Sequence, residues 1–131
     1  VAELADARFR RIAIANPDLA PYGAAAREAM QAAGISEGAS SRIALAENIG
    51  QAAQFVATGG AEVGFIAKSS AVSPELLPVL RFSSVRADWY RPLDQRMAVL
   101  KGAGPTARAF FDFLATPGAK EQLQKSGFTL P

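Results

Sequence analysis

Short, branched apolar runs alternate with alanine-rich, helix-patterned stretches along this chain, and that alternation narrows the possible folds more than any other feature. "RIAIA" (Arg11–Ala15) and "RIALA" (Arg42–Ala46) are too short for stable helices and have the apolar content of buried strands. "EVGFIA" (Glu62–Ala67) reads as a third strand. A helix is predicted over Pro21–Ala33, with Pro21 suited to the first helical position and Gly34 to the residue just past the end. Another is predicted in "ENIGQAAQFVATGG". There Asn48 and Gln51 have capping-box spacing, and Ile49, Ala52, Ala53 and Val56 form an apolar stripe that Gly59 and Gly60 end. The pattern predicts an α/β fold: a mixed, mostly parallel sheet flanked by helices on both faces.

"VAELADARF" predicts a short helix with Leu4 and Phe9 as apolar contacts. Lys68 to Pro78 is polar and rich in Ser and Pro, and "PVLRFSSV" (78–85) is a candidate strand. "RADWYRPLDQ" reads as a loop anchored by Trp89 and Tyr90, and "RMAVLK" (Arg96–Lys101) as a strand. Two helices close the chain. The first places Ala107, Phe110, Phe111 and Leu114 on one face, with the two phenylalanines read as core. The second has Ala119 and Leu123 inside, a Glu121–Lys125 pair outside and Gly127 as its stop.

Composition removes several functions. The 131 residues are half hydrophobic and one-fifth charged, as in globular domains. The net charge of +2 comes from scattered residues, with no basic block to suggest a nucleic-acid partner. No apolar run approaches a membrane span. Val1 reads as a boundary left by processing or cloning, with no signal peptide in the chain. The absence of Cys and His excludes Cys/His zinc sites, thiol nucleophiles and Ser-His-Asp chemistry. Glu47 beside a helix start reads as support for that helix. Asp88 and Asp94 flank two aromatics but read as solvated loop carboxylates. Lys68, Ser69 and Ser70 follow a strand without a phosphate-loop motif. No acid–base pair or nucleophile constellation emerges, so the chain is read as non-enzymatic, with no cofactor.

Open α/β sheets bind ligands at the carboxyl ends of their strands. The places of interest are therefore Asn16–Gly23 and Glu47–Gly50, where strands hand over to helices. A helix start leaves its first N–H groups without internal partners and carries partial positive charge. Tyr22 and Gly23, and Ile49 and Gly50, fall at such positions. Two readings stand: plain turns, with Asn48 a cap and the Tyr22 ring wedged on the sheet, or N–H donors that bind an anion without Lys or Arg.

Four segments in order, "RIAIANPDLAPYG", "AENIGQAAQFVATGGAEVGFIAKS", "WYRPLDQRMAVLK" and "ARAFFDFLATPGAKEQLQKSGF", resemble the periplasmic molybdate-binding proteins, the solute receptors of ABC-type molybdate importers. The resemblance covers nearly the whole chain. It implies a periplasmic or cell-surface-anchored receptor of the type II binding-protein fold, with two α/β lobes closing on molybdate or tungstate. It also implies a membrane permease as partner. By resemblance, the oxyanion is held by the backbone N–H groups of Tyr22 and Ile49, with Pro21, Gly23, Asn48 and Gly50 as the supporting shell and no direct metal ligand. Some members add a tyrosine hydroxyl at the end of the third strand, where this chain has Ala67. The resemblance further implies that residues 1–101 form a second lobe ending in a hinge strand near 96–101. Residues 102–131 would be helices that return to a first lobe, and no segment here matches that lobe. The chain is accordingly expected to be a fragment with half the site, weak or silent toward molybdate, and prone to self-association through Phe110, Phe111 and Leu114. The alternatives are a receptor for sulfate or phosphate, or the ligand-sensing domain of a transcriptional regulator.

Overall fold

The computed structural model describes residues 1–130 and divides into two compact units, Val1–Leu93 and Asp94–Pro131. The first unit is built on three parallel strands, β1 (Ile12–Ala15), β2 (Ile43–Ala46) and β3 (Val63–Gly64), in the order β2-β1-β3. Ala15 pairs in register with Ala46, and Ile12 with both Ile43 and Val63. The helices of this unit are α1 (Pro21–Ala32), α2 (Ser36–Ser40), α3 (Ile49–Ala57) and α4 (Lys68–Ala71).

All four residues of β1 are buried, and the two sides of the strand make different cores. Ile12 and Ile14 pack with Leu4, Met30, Ile35 and Ala39, so α1 and α2 cover this face. Ala13 faces the other way and clusters with Ala46, Ala52 and Ala61, so α3 covers the second face. Small side chains let α3 come close. A Cβ on Gly64 would lie 2.7 Å from Val56 Cγ2, inside contact distance. Gly34 and Gly59 take φ of +69° and +76° just past the ends of α1 and α3, which glycine adopts without steric cost.

The third strand is shorter than expected. Regular pairing covers only Val63–Gly64, although Phe65 N–H still reaches Ala13 O at 2.9 Å. The N-terminal helix is one 3-10 turn, Ala2–Ala5, with Leu4 buried. The polar stretch after β3 forms α4 followed by turns. No strand forms in 78–85, where Val79 is 64% exposed and Phe82 44%. A strand needs a ladder partner for its N–H and C=O groups, and none of the described residues supplies one there.

The second unit contains α5 (Pro105–Leu114) and α6 (Pro117–Lys125). The Glu121–Lys125 pair forms at 2.6 Å, Ala119 is buried, and Gly127 ends the unit's last helix with φ +88°. Two expectations are corrected here. Arg96–Lys101 is not a strand, again for want of a pairing neighbour among the described residues; Met97, Ala98 and Val99 instead line a concavity of about 360 Å³ with Arg108, Phe111 and Asp112. Phe110 is not core: it is 61% exposed and stacks on Phe113, itself 56% exposed, with ring centroids 6.4 Å apart. Phe111 and Leu114 are half-buried.

One guanidinium fastens the N-terminal segment to the first unit. Arg42, just before β2, donates to Leu4 O (2.9 Å), Asp6 O (3.0 Å), Phe9 O (2.7 Å) and twice to Gly38 O (3.1 and 3.0 Å). A guanidinium offers five donors in a fixed planar fork, enough for the bonds made here, whereas an ammonium offers three on a single nitrogen. Arg42→Ala is expected to lower unfolding stability by about 2 kcal/mol, and Arg42→Lys to recover less than half of that, measured by urea denaturation.

Candidate functional site

The chain steps from β1 to β2 on one side, then back across β1 to β3 on the other. Right-handed connections in both steps require helices on opposite faces, and the two cores place α1 and α3 there. The carboxyl ends of β1 and β2 thus lie side by side, with Ala15 paired to Ala46, and the chains leaving them enter helices on opposite faces. Asn16 N–H bonds Ala46 O at 2.7 Å, continuing the strand pairing to this edge.

At the first junction, "NPDLAP" folds into successive turns. Asn16 O accepts from Leu19 and Ala20 N–H (3.2 and 2.8 Å), and its side chain accepts from Asp18 N–H at 3.0 Å. Pro21 then opens α1 as its first residue, after an N-cap, Ala20, that offers no side-chain acceptor. Gly23 is buried, and its N–H bonds Ala20 O at 2.9 Å. A Cβ there would lie 2.2 Å from Ala15 O and 2.8 Å from Ala15 C. The start of α1 therefore rests directly on the end of β1, and only glycine permits that approach. Tyr22 is half-buried, and its N–H meets no protein acceptor among the described residues.

At the second junction, Asn48 caps α3 through its side chain, which accepts from Gln51 N–H at 2.9 Å. The return arm differs from a standard capping box. Gln51 Oε1 accepts from Glu47 N–H at 2.6 Å, one residue earlier than the cap itself. The cap satisfies the third N–H of the helix and leaves Ile49 and Gly50 N–H without protein acceptors among the described residues. Ile49 is half-buried, while Asn48 and Gly50 are exposed.

The two expected donors thus lie beyond the ends of paired strands, on helices of opposite faces, and Gly50 N–H is a further donor unpaired among the described residues, a position the helix-start reading named and the resemblance placed in the supporting shell. Ala67 is buried as the N-cap of α4 and carries no hydroxyl. A concavity of about 420 Å³ lies alongside α3, lined by Gly50, Ala53, Gln54, Ser69, Ser70 and Leu76 among others. It also contains Glu75, whose carboxyl is held below its usual range by its own backbone N–H and then by the Ser73 side chain. An ionised carboxylate repels an oxyanion, which disfavours this groove for an anion. Asp88 is bound by Arg86 at 3.0 and 2.6 Å, and this pairing lowers its pKa. Asp94 belongs to the second unit. Trp89 and Tyr90 are half-buried, as an anchored loop requires.

The sequence of residues 1–129 matches the family model described as bacterial extracellular solute-binding protein. The chain belongs to that family. It is 40% identical to the molybdate-binding protein ModA of Azotobacter vinelandii over 124 residues, covering 93% of this chain and 49% of that protein. Identity to the Rhodobacter capsulatus protein of the same name is 41%, over 92% of this chain and 47% of the relative. The solved structure of the Azotobacter vinelandii periplasmic molybdate-binding protein superposes with a TM-score of 0.84 at 29% identity, covering 98% of this chain and 57% of that one. The chain therefore spans about half the length of the curated relatives it matches.

Gly23→Ala is expected to cost about 3 kcal/mol or more, since the clash is with backbone and cannot be relieved by a rotamer change. Asn48→Ala should cost about 1 kcal/mol and Asn48→Asp much less. Thermal or urea unfolding of the three variants checks both statements; a neutral Gly23→Ala would contradict the close approach.

Proposed function

We propose that this chain forms one wall of a solute receptor for molybdate or tungstate in an ABC importer. The oxyanion would be held by the backbone N–H groups of Tyr22 and Ile49, with Pro21, Gly23, Asn48 and Gly50 shaping the backbone around them. The observation that carries this is the pair of helix starts that follow the paired carboxyl ends of β1 and β2, each with N–H groups that no atom of the described residues accepts. Relatives named as molybdate-binding support the choice of anion. Neutral donors suit a ligand that must be released to a membrane permease, because no ion pair has to be broken.

In this reading residues 1–101 belong to the second lobe, and Arg96–Lys101 would find its sheet partner in a longer protein. Residues 102–131 would return to the other lobe. One wall cannot exclude water, and hydrogen bonds to an anion weaken when water competes for it. Sulfate shares the charge and tetrahedral shape of molybdate, so cavity size has to discriminate, and part of that cavity would come from the other lobe.

The test is a thermal-shift and calorimetric titration with molybdate, tungstate and sulfate, on this chain and on a chain with a preceding lobe joined to it. This chain alone should give no resolvable shift. The two-lobe protein should gain about 2.7 kcal/mol at ligand concentrations 100 times Kd, with molybdate and tungstate but not sulfate. A response to sulfate alone would move the assignment to a sulfate or phosphate receptor. Silence of the two-lobe protein toward all three anions would overturn the oxyanion reading.

A further inference from the structure

Residues 86–91 lie at the end of the first unit, on the path to the second. Most of this stretch is exposed, yet it is folded and attached. Its inner order is local. Ala87–Trp89 form a 3-10 turn, Trp89 N–H bonds Arg86 O at 3.2 Å, and the Arg86 guanidinium forks onto Asp88 while lying 5.3 Å from the centre of the Trp89 ring. Its attachment is distant in sequence. Glu28, on α1, accepts Arg91 backbone N–H on Oε2 at 2.7 Å. The other carboxylate oxygen accepts Arg91 Nε at 2.8 Å and lies 2.7 Å from its Nη2.

We propose that Glu28 is a positioning residue that latches this exit turn onto α1, so that the turn stays ordered only while the carboxylate bridges the Arg91 main chain and side chain. Exposed ion pairs contribute little as a rule. This pair differs in using both carboxylate oxygens, in including a main-chain donor that cannot swing away, and in a Glu28 side chain only 24% exposed. α1 also carries the Tyr22 N–H, so the latch ties the exit turn to the helix of the candidate site. That last link depends on the proposed function; the latch itself does not.

The carboxyl of Glu28 is held below its usual range, first by Arg91 backbone N–H and then by the Arg91 guanidinium. A depressed carboxylate pKa stabilises the folded arrangement above its unfolded value, and the contribution is lost as pH falls through the folded value. The latch therefore opens in acid. Besides Glu28 and Arg91, the charged or titratable groups of these two elements are Tyr22 and Arg27 on α1, and Arg86, Asp88 and Tyr90 on the turn.

Trp89 is the only tryptophan of the chain, so its emission reports on the turn alone. Glu28→Gln is expected to shift that emission to the red and to raise acrylamide quenching. Amide exchange should quicken at Arg91, while Ile12–Ala15 stay protected. Acid titration of the parent protein should give the same optical change before the sheet unfolds, and Glu28→Gln should lack that transition. Arg91→Lys, which keeps the main-chain bond and loses the fork, should fall between the two, and decides together with the parent titration if Glu28→Gln does not fold. Unchanged Trp89 and Arg91 signals in the variants would overturn the latch. So would an acid transition that persists in Glu28→Gln, which would then belong to Asp88.

Discussion

Burial of β1 on both faces is the constraint from which the rest of the first unit follows. A four-residue strand with neighbours on both edges and helices above and below leaves none of its side chains in water. Each face then dictates its own partner. The isoleucine face takes Met30 of α1, Ile35 at the start of α2 and Leu4 of the N-terminal turn. The alanine face accepts α3 only at short range, and Gly64 keeps that approach open. Because the outgoing helices leave on opposite faces, the carboxyl edge of β1 and β2 cannot be closed by either one.

That edge is where fold and site become one problem. Gly23 seats α1 on the carbonyl of Ala15, so the position of the Tyr22 N–H is set by a backbone-to-backbone contact rather than by a side-chain rotamer. Asn48 and Gln51 fix the start of α3 by satisfying Gln51 and Glu47 N–H, and they stop short of Ile49 and Gly50. Stability and donor exposure are thus supplied by different groups a residue or two apart. Under the proposed function, this division would supply the rigid donors, unpaired in the free state, that preorganised binding needs.

Much of this was legible from the residues. The long helices, the cap at Asn48, the first-position role of Pro21 and the glycine stops follow from local rules, because each depends on neighbours within four residues. The expected strands at 78–85 and 96–101 failed for the opposite reason: a strand is completed by a partner elsewhere, and apolar content cannot report whether one is present. Phe110 failed similarly, since a helical apolar face says that something should cover it and not what does.

What the sequence determined by itself was the alternation of the three paired strands with the long helices, the places where those helices begin, and the absence of Cys and His chemistry. Tertiary structure alone decided which strand is central, and therefore that the strand ends leading to both helix starts lie side by side. It also decided the contacts that span long separations. Arg42 gathers carbonyls from 33 to 38 residues away, and Glu28 takes hold of Arg91 across 63. No local pattern marks either residue among the scattered charges. Such contacts are chosen by which groups the packed sheet brings within hydrogen-bond range, and that proximity exists only after the core has formed.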